Sequence, residues 1–257
     1  MPVTDLALLT QAARSSGQIA AGYFGQGPKI WEKADGAGPV TAADLAVNTM
    51  LQETLQAARP DYGWLSEETE DTAARLGTQA QFVIDPIDGT RAFIAGTKDW
   101  AHSLAVVRAG QVTAAAVYIP MRNLMFTAAI GQGAHLNGAP INALSNTEMS
   151  EATILTHKAN CNIKYWKDGV FPQTNIAFRS SLAYRLCLVA QGRFDAMITL
   201  RPTWEWDVAA GTLILSEAGG VATTQIGGPI QFNNPHPQLN GLIGAGGLHS
   251  TLLAHLA

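Results

Sequence analysis

Apolar residues recur with a helical period over 4–24, placing Leu6, Leu9, Ala13 and Ala20 on one face with Thr4 as the cap. A stretch rich in glycine and proline follows, 25–39 (GQGPKIWEKADGAGP), and is expected to be an exposed, mobile loop. A second helix is predicted from about Thr41 to Ala58, with Leu45, Met50, Leu51 and Leu55 as its apolar stripe. From Trp64 to Asn137 the pattern changes to strands. FVID (82–85) reads as a short buried strand, 103–119 as a hairpin turning at Ala109-Gly110, and 124–130 and 134–138 as further strands. Beyond 150, strands at 152–156 and 196–200 alternate with helices at 181–191 and 206–220, the second closed by Gly219-Gly220. A strand at 241–246 and a short helix end the chain. This order predicts an α/β (α+β) layered sandwich. Its expected parts are an N-terminal α+β subdomain over 1–145 and a C-terminal α/β subdomain over 146–257.

Composition narrows the function classes. Of 257 residues, 47% are hydrophobic and 14% charged, enough apolar material for a large core and too little charge for a disordered chain or a coiled coil. The net charge of −4, without clustered Lys and Arg, argues against a nucleic-acid polymer as partner. The two cysteines, Cys161 and Cys187, fit neither a disulfide framework nor a C-x-x-C site. No apolar run approaches the ~18 residues of a membrane span, and the first residues lack a signal peptide's basic and apolar blocks. A cytoplasmic protein with no membrane partner is expected.

The chemistry concentrates in acids. Asp85-Pro86-Ile87-Asp88-Gly89-Thr90 emerges from the apolar strand, and Pro86 fixes a turn on which Asp85 and Asp88 can converge. Two such carboxylates repel one another unless a cation sits between them, and an all-oxygen environment suits a hard divalent ion such as Mg2+. Trp64-Leu65-Ser66-Glu67-Glu68 is a second acidic site, and Trp206-Asp207 opens an apolar helix. Taken singly, Glu67 and Glu68 read as a solvated patch and Asp207 as a helix cap.

In combination these segments resemble the inositol monophosphatase superfamily. Trp64–Glu68, Asp85–Thr90 and Trp206–Gly211 (WDVAAG) look like its three signatures in order, and Pro39–Asp44 (PVTAAD) matches a fourth element. The resemblance spans nearly the whole chain, to Glu217-Ala218-Gly219-Gly220. It implies the family's fold and a phosphomonoesterase that uses two to three Mg2+ ions and metal-activated water, with no phosphorylated side chain. Carried over position by position, Glu67, Asp85 and the Ile87 carbonyl would hold one ion, and Asp85, Asp88 and Asp207 another. Gly89 and Thr90 would contribute to phosphate binding, Asp44 and Thr90 would form a pair beside the attacking water, and Lys33 stands where the family has a lysine. Asp88, Glu205 and Asp207 are further candidate substrate contacts. The resemblance also implies a homodimer and inhibition by lithium and Ca2+; the 25–39 loop is further expected to order when metals and substrate arrive.

Departures from the pattern bear on the substrate, a small phosphate monoester. Leu200 replaces the glutamate that contacts inositol in the animal enzymes, seven residues before Asp207. The run Thr203-Trp204-Glu205-Trp206-Asp207 resembles bacterial 3'(2'),5'-bisphosphate nucleotidases, whereas Asp85–Gly96 also resembles histidinol-phosphate phosphatases. The bisphosphate nucleotidase is narrowly favoured, then the inositol monophosphatase. A dehalogenase-type phosphatase would need D-x-D-G-T rather than D-P-I-D-G-T. A non-catalytic binding protein is the rival of another class, but Asp44, Glu67, Asp85, Asp88 and Asp207 are all present.

Overall fold

The computed structural model describes residues 3–33 and 38–257. Helix α1 (Asp5–Tyr23) starts at Thr4, whose hydroxyl accepts from the Ala7 amide. Part of the expected loop is instead a hairpin, β1 (Ile30–Glu32) against β2 (Pro39–Thr41); residues 34–37 lie outside the described set. Helix α2 (Ala42–Ala58) follows, capped by Thr41. Of the predicted stripe, Leu51 and Leu55 are buried and Met50 packs against the core, but Leu45 does not join them. Leu45 is exposed, and Ala43, Val47, Leu51 and Leu55 turn inward together with two polar residues, Asp44 and Asn48. That arrangement brings a carboxylate into the interior, and it is invisible to a search for apolar periodicity.

Seven strands form the first sheet in sequential order: β3 (Gly63–Ser66), β4 (Ala80–Asp88), β5 (Ala101–Arg108), β6 (Gln111–Ile119), β7 (Leu124–Ala129), β8 (Ala134–Leu136) and β9 (Ala139–Pro140). Only β3 and β4 run parallel. A short helix, α3 (Thr90–Ile94), separates β4 from β5. The hairpin between β5 and β6 turns at Ala109-Gly110 as expected, both with positive φ. The second sheet has the order β11-β10-β12-β16-β14, from β10 (Thr153–Leu155), β11 (Asn175–Ala177), β12 (Ala196–Thr199), β14 (Val221–Thr223) and β16 (Leu242–Ala245). Helices α4 (Leu182–Ala190), α5 (Glu205–Glu217) and α6 (His249–Ala254) and a small pair, β13 (Thr203–Trp204) with β15 (Gln238–Leu239), complete the chain.

The layers run helix, sheet, helix, sheet, helix. Helices α1 and α2 cover one face of the first sheet, α4 and α5 lie between the two sheets, and α6 backs the second. Both faces of β4 and β5 are therefore covered, which is why their sequences are apolar without alternation. Phe82, Ile84, Leu104 and Val106 face α1 and α2, whereas Val83, Ala105 and Val107 face α4 and α5. Helix α5 is likewise apolar all round because sheets flank it. Gly211 permits its close approach to α4, since a Cβ there would stand 2.7 Å from Leu186. Among the described residues, no helix is long and apolar enough to cross a membrane.

Candidate active site

Period-two alternation along β4 places Asp85 on the same face as Val83, toward the start of α5. The strand runs on through Asp88, further than the expected FVID segment, and its pairing with β5 shifts register between Asp85 and Asp88. Such a bulge re-aims side chains at the end of a strand. One carboxylate oxygen from each of Asp85, Asp88 and Asp207 lies within 4.8 Å of the other two. Asp207 lies nearly half the chain beyond Asp85 in sequence; the two-sheet sandwich brings them together.

Each carboxylate is held differently. Asp88 accepts from the Ser181 hydroxyl (2.6 Å) and from the Ala183 (2.7 Å) and Leu182 (3.2 Å) amides at the start of α4. Asp207, on the first turn of α5, accepts from the Trp204 amide at 3.2 Å, so the capping role and the clustered position coexist. Asp85 is buried, and its Oδ1 has no hydrogen-bond partner. Burial first, and then the charges of Glu67, Asp88 and Asp207, push the Asp85 carboxyl well above the ordinary carboxylate range. Asp207 is pushed up by burial and then by Asp88 and Glu67. Asp88 rises only to about 6, because the α4 hydrogen bonds offset part of its burial. Two buried acids and a half-buried third, with an orphaned oxygen among them, are the donor set that a hard cation completes.

Glu67 is drawn toward a different partner. The Lys33 ammonium donates to Glu67 at 2.7 Å and to Glu68 at 2.6 Å. Burial alone would lower the Lys33 pKa, but the two glutamates outweigh it and hold it above the ordinary value. Glu68 is pushed up to about 7 by burial and by Glu67. Thus Lys33 sits on the first expected metal ligand, while Glu67 is still near enough to raise Asp85.

Asp44 and Thr90 do meet. Asp44 Oδ2 accepts from the Thr41 amide (2.9 Å) and hydroxyl (2.5 Å), while the Thr90 hydroxyl reaches Asp44 Oδ1 at 3.3 Å and the Ile87 carbonyl at 3.1 Å. Burial raises the Asp44 carboxyl despite the Thr41 bonds. Gly89, whose φ is 97°, makes the turn that brings Thr90 back under Ile87.

Glu205 goes elsewhere, and the expectation of a substrate contact is corrected. It is fully buried, and its two oxygens accept from the Asn233 amide (2.7 Å), the Asn234 amide (2.9 Å) and the Asn234 side chain (2.7 Å). Its chemistry is that of an anchor for the 233–234 turn. Glu205→Ala would remove three hydrogen bonds from the half-buried Asn233 and Asn234, costing about 3 kcal/mol and lowering the melting temperature by roughly 6–12 °C. An unchanged melting curve would contradict this role. Trp204 and Trp206 stack on each other, with ring centroids 4.8 Å apart, so Trp206 serves packing rather than a free stacking surface.

Arg185, on α4 with Arg179 just before that helix, is a buried cation under the influence of Asp88. Only 4% of it is exposed, its Nε donates to the Arg179 carbonyl at 2.6 Å, and it lies 4.6 Å from the Phe178 ring centroid. Among the described residues no carboxylate pairs with it within 4.0 Å, and its two Nη nitrogens have no hydrogen-bond partner. Burial lowers its pKa to about 10; Asp88 works against that shift and Arg201 with it. Arg179, by contrast, stands 3.6 Å from Asp99. The Ser181 contact to Asp88 had no sequence signal beyond a serine before an apolar helix.

The model of the inositol monophosphatase family matches residues 2–257. This chain belongs to that family. It is 33% identical over 236 residues to an inositol-1-monophosphatase of Rhizobium meliloti, covering 87% of this chain and 86% of that one. Identity to the Nus factor SuhB of Salmonella typhimurium is also 33%, over the same shares. Among solved structures, the Thermotoga maritima IMPase superposes with a TM-score of 0.81 at 28% identity, over 95% of this chain and 93% of that one. As an inositol monophosphatase family member, the protein is a metal-dependent phosphoric monoester hydrolase acting on small phosphate monoesters. The acid trio fits that metal dependence.

Proposed function

We propose that the chain is a Mg2+-dependent phosphomonoesterase whose favoured substrate carries a second anionic group, as a 3'(2'),5'-bisphosphate nucleotide does. Asp85, Asp88 and Asp207 would hold Mg2+, with Glu67 and the Ile87 carbonyl completing the oxygen set. Bound there, Mg2+ supplies charge neutralisation and Lewis-acid activation for an anionic ester that an acidic protein would otherwise repel.

The chain's own groups do the rest. Thr90 has one hydroxyl hydrogen and two acceptors in reach, Asp44 and the Ile87 carbonyl, so either bond leaves its lone pairs turned to an attacking water. Asp44, fixed by Thr41, holds that hydroxyl and is the acceptor for the water's proton. Gly89 and Thr90 form the turn against which the phosphate rests.

Arg185 carries the substrate reading. A buried guanidinium with no carboxylate in ion-pair reach, and Asp88 acting on it only from further off, is costly, and a second phosphate would supply a close partner in the fork geometry Arg favours. This observation replaces Glu205 as the support for a bisphosphate nucleotide. The second reading is inositol 1-phosphate, supported by the name of the Rhizobium relative. Leu200, buried with its amide donating to Asn160, offers that ring no carboxylate.

The test is phosphate release from 3'-phosphoadenosine 5'-phosphate, inositol 1-phosphate and histidinol phosphate by the wild-type chain and Arg185→Met. The variant is expected to lose about 10- to 100-fold in kcat/KM on the adenosine compound while keeping its inositol 1-phosphate rate. Its melting temperature should hold or rise, since an unpaired buried charge is gone. Equal loss on all substrates, or wild-type preference for inositol 1-phosphate, would overturn the bisphosphate reading. Absence of turnover with Mg2+ binding intact would favour a binding protein.

A further inference from the structure

His102 is fully buried one strand away from the acid trio and touches neither the acids nor the Asp44–Thr90 pair. It lies on β5 between Ala101 and Ser103, the two residues that pair with Asp88 and Asp85 across the register shift. Its Nδ1 stands 2.5 Å from the carbonyl oxygen of Pro86, the residue inside that shift. Proline has no amide hydrogen, so this segment of β4 cannot use Pro86 as a ladder donor. A carbonyl oxygen only accepts, so Nδ1 carries the hydrogen and Nε2 is left bare. Nε2 has no partner, and the ring stands edge-on to Trp100 with centroids 5.5 Å apart. Burial lowers the His102 pKa to about 4, which keeps the ring neutral near pH 7. The side chain is therefore a one-bond device, locked in one tautomer and directed at the backbone between two acids.

We propose that His102 is a positioning residue: by holding the Pro86 carbonyl it sets the aim of Asp85 and Asp88 and of the Ile87 carbonyl toward the bound cation. The proposal rests on the reading of those groups as Mg2+ ligands. A partner that orients ligands from behind typically controls metal affinity by about 10- to 100-fold. His102 reaches no substrate, so its effect is on metal affinity and not on substrate binding.

Three variants separate this role from mere core filling. In His102→Asn the amide nitrogen occupies the Nδ1 position and can still donate to Pro86. In His102→Gln the amide lies one bond further out, and His102→Leu removes the donor. Calorimetric titration with Mg2+, in the absence of substrate, should show roughly 10-fold or greater weakening for the Gln and Leu variants and at most about 3-fold for Asn. At saturating Mg2+ all three should recover substrate KM close to the wild-type value. Equal weakening in Asn, Gln and Leu, or wild-type affinity in Gln and Leu, would overturn the proposal.

A measurement on the wild-type chain does not depend on any variant folding. Nitrogen NMR of the His102 ring should show the neutral Nδ1–H tautomer near neutral pH, and Mg2+ should move its signals. An Nε2–H tautomer or a charged ring would overturn the proposal. If the wild-type chain binds no Mg2+ while the tautomer is Nδ1–H, the ligand reading fails and the hydrogen bond to Pro86 stands as structural only.

Discussion

Asp85→Asn is expected to lower Mg2+-dependent phosphate release by at least about 1,000-fold and, in metal-free protein, to raise the melting temperature. Both effects come from one feature. Asp85 is the carboxylate whose Oδ1 has no partner and which Glu67, Asp88 and Asp207 all push up. With a cation present, that free oxygen is a ligand, and an amide offers only a neutral one in its place. Without a cation, it is a buried acid that must either keep its proton or repel its neighbours, and a neutral amide removes that penalty. Activity assays and thermal melts in chelator, run on the same preparations, check the two halves. A variant that loses activity and also melts lower in chelator would show that Asp85 holds the fold rather than the metal.

A second large effect is in the pH dependence of stability. The folded-state carboxyls of Asp85, Asp88 and Asp207 are all raised, Asp88 to about 6, and Glu68 to about 7. The folded chain thus keeps protons that the unfolded chain releases near pH 4. Their contribution to stability is fully present below that point and is lost as pH rises through the folded values, so metal-free protein weakens toward alkaline pH. The melting temperature of metal-free protein should fall by roughly 5–10 °C between about pH 5 and about pH 8. Excess Mg2+ binds the ionised cluster and should flatten that slope, most strongly at the alkaline end. A melting temperature that rises over this window in chelator, or a slope indifferent to Mg2+, would contradict the assignment.

Much of this site was legible in the chain because strand and helix periodicity act locally. The apolar approach to Asp85, the turn residues Pro86 and Gly89, and Asp207 on the first turn of an apolar helix all survive into the structure. The family resemblance placed Asp44 beside Thr90, 46 positions apart, and the hydroxyl stands 3.3 Å away. What was hidden depends on long-range packing. Asp44 and Asn48 face inward alongside the expected Leu51 and Leu55, and Leu45 faces outward, because α2 packs a polar pair that counting apolar residues does not select. Glu205 lies two residues from Asp207 on the same helix start, yet it turns to the 233–234 turn. Ser181 on Asp88 and the unpaired Arg185 follow from where α4 docks, which no local pattern encodes.

The cluster of Asp85, Asp88 and Asp207 is proposed as the metal-dependent centre of a phosphomonoesterase. Phosphate release by the wild-type chain, followed while Mg2+ is titrated into chelator-treated protein, tests it most directly. No release is expected before Mg2+ is added, then a saturating rise as it is added, and a return to none when chelator is restored. Release that continues undiminished in chelator would contradict that assignment.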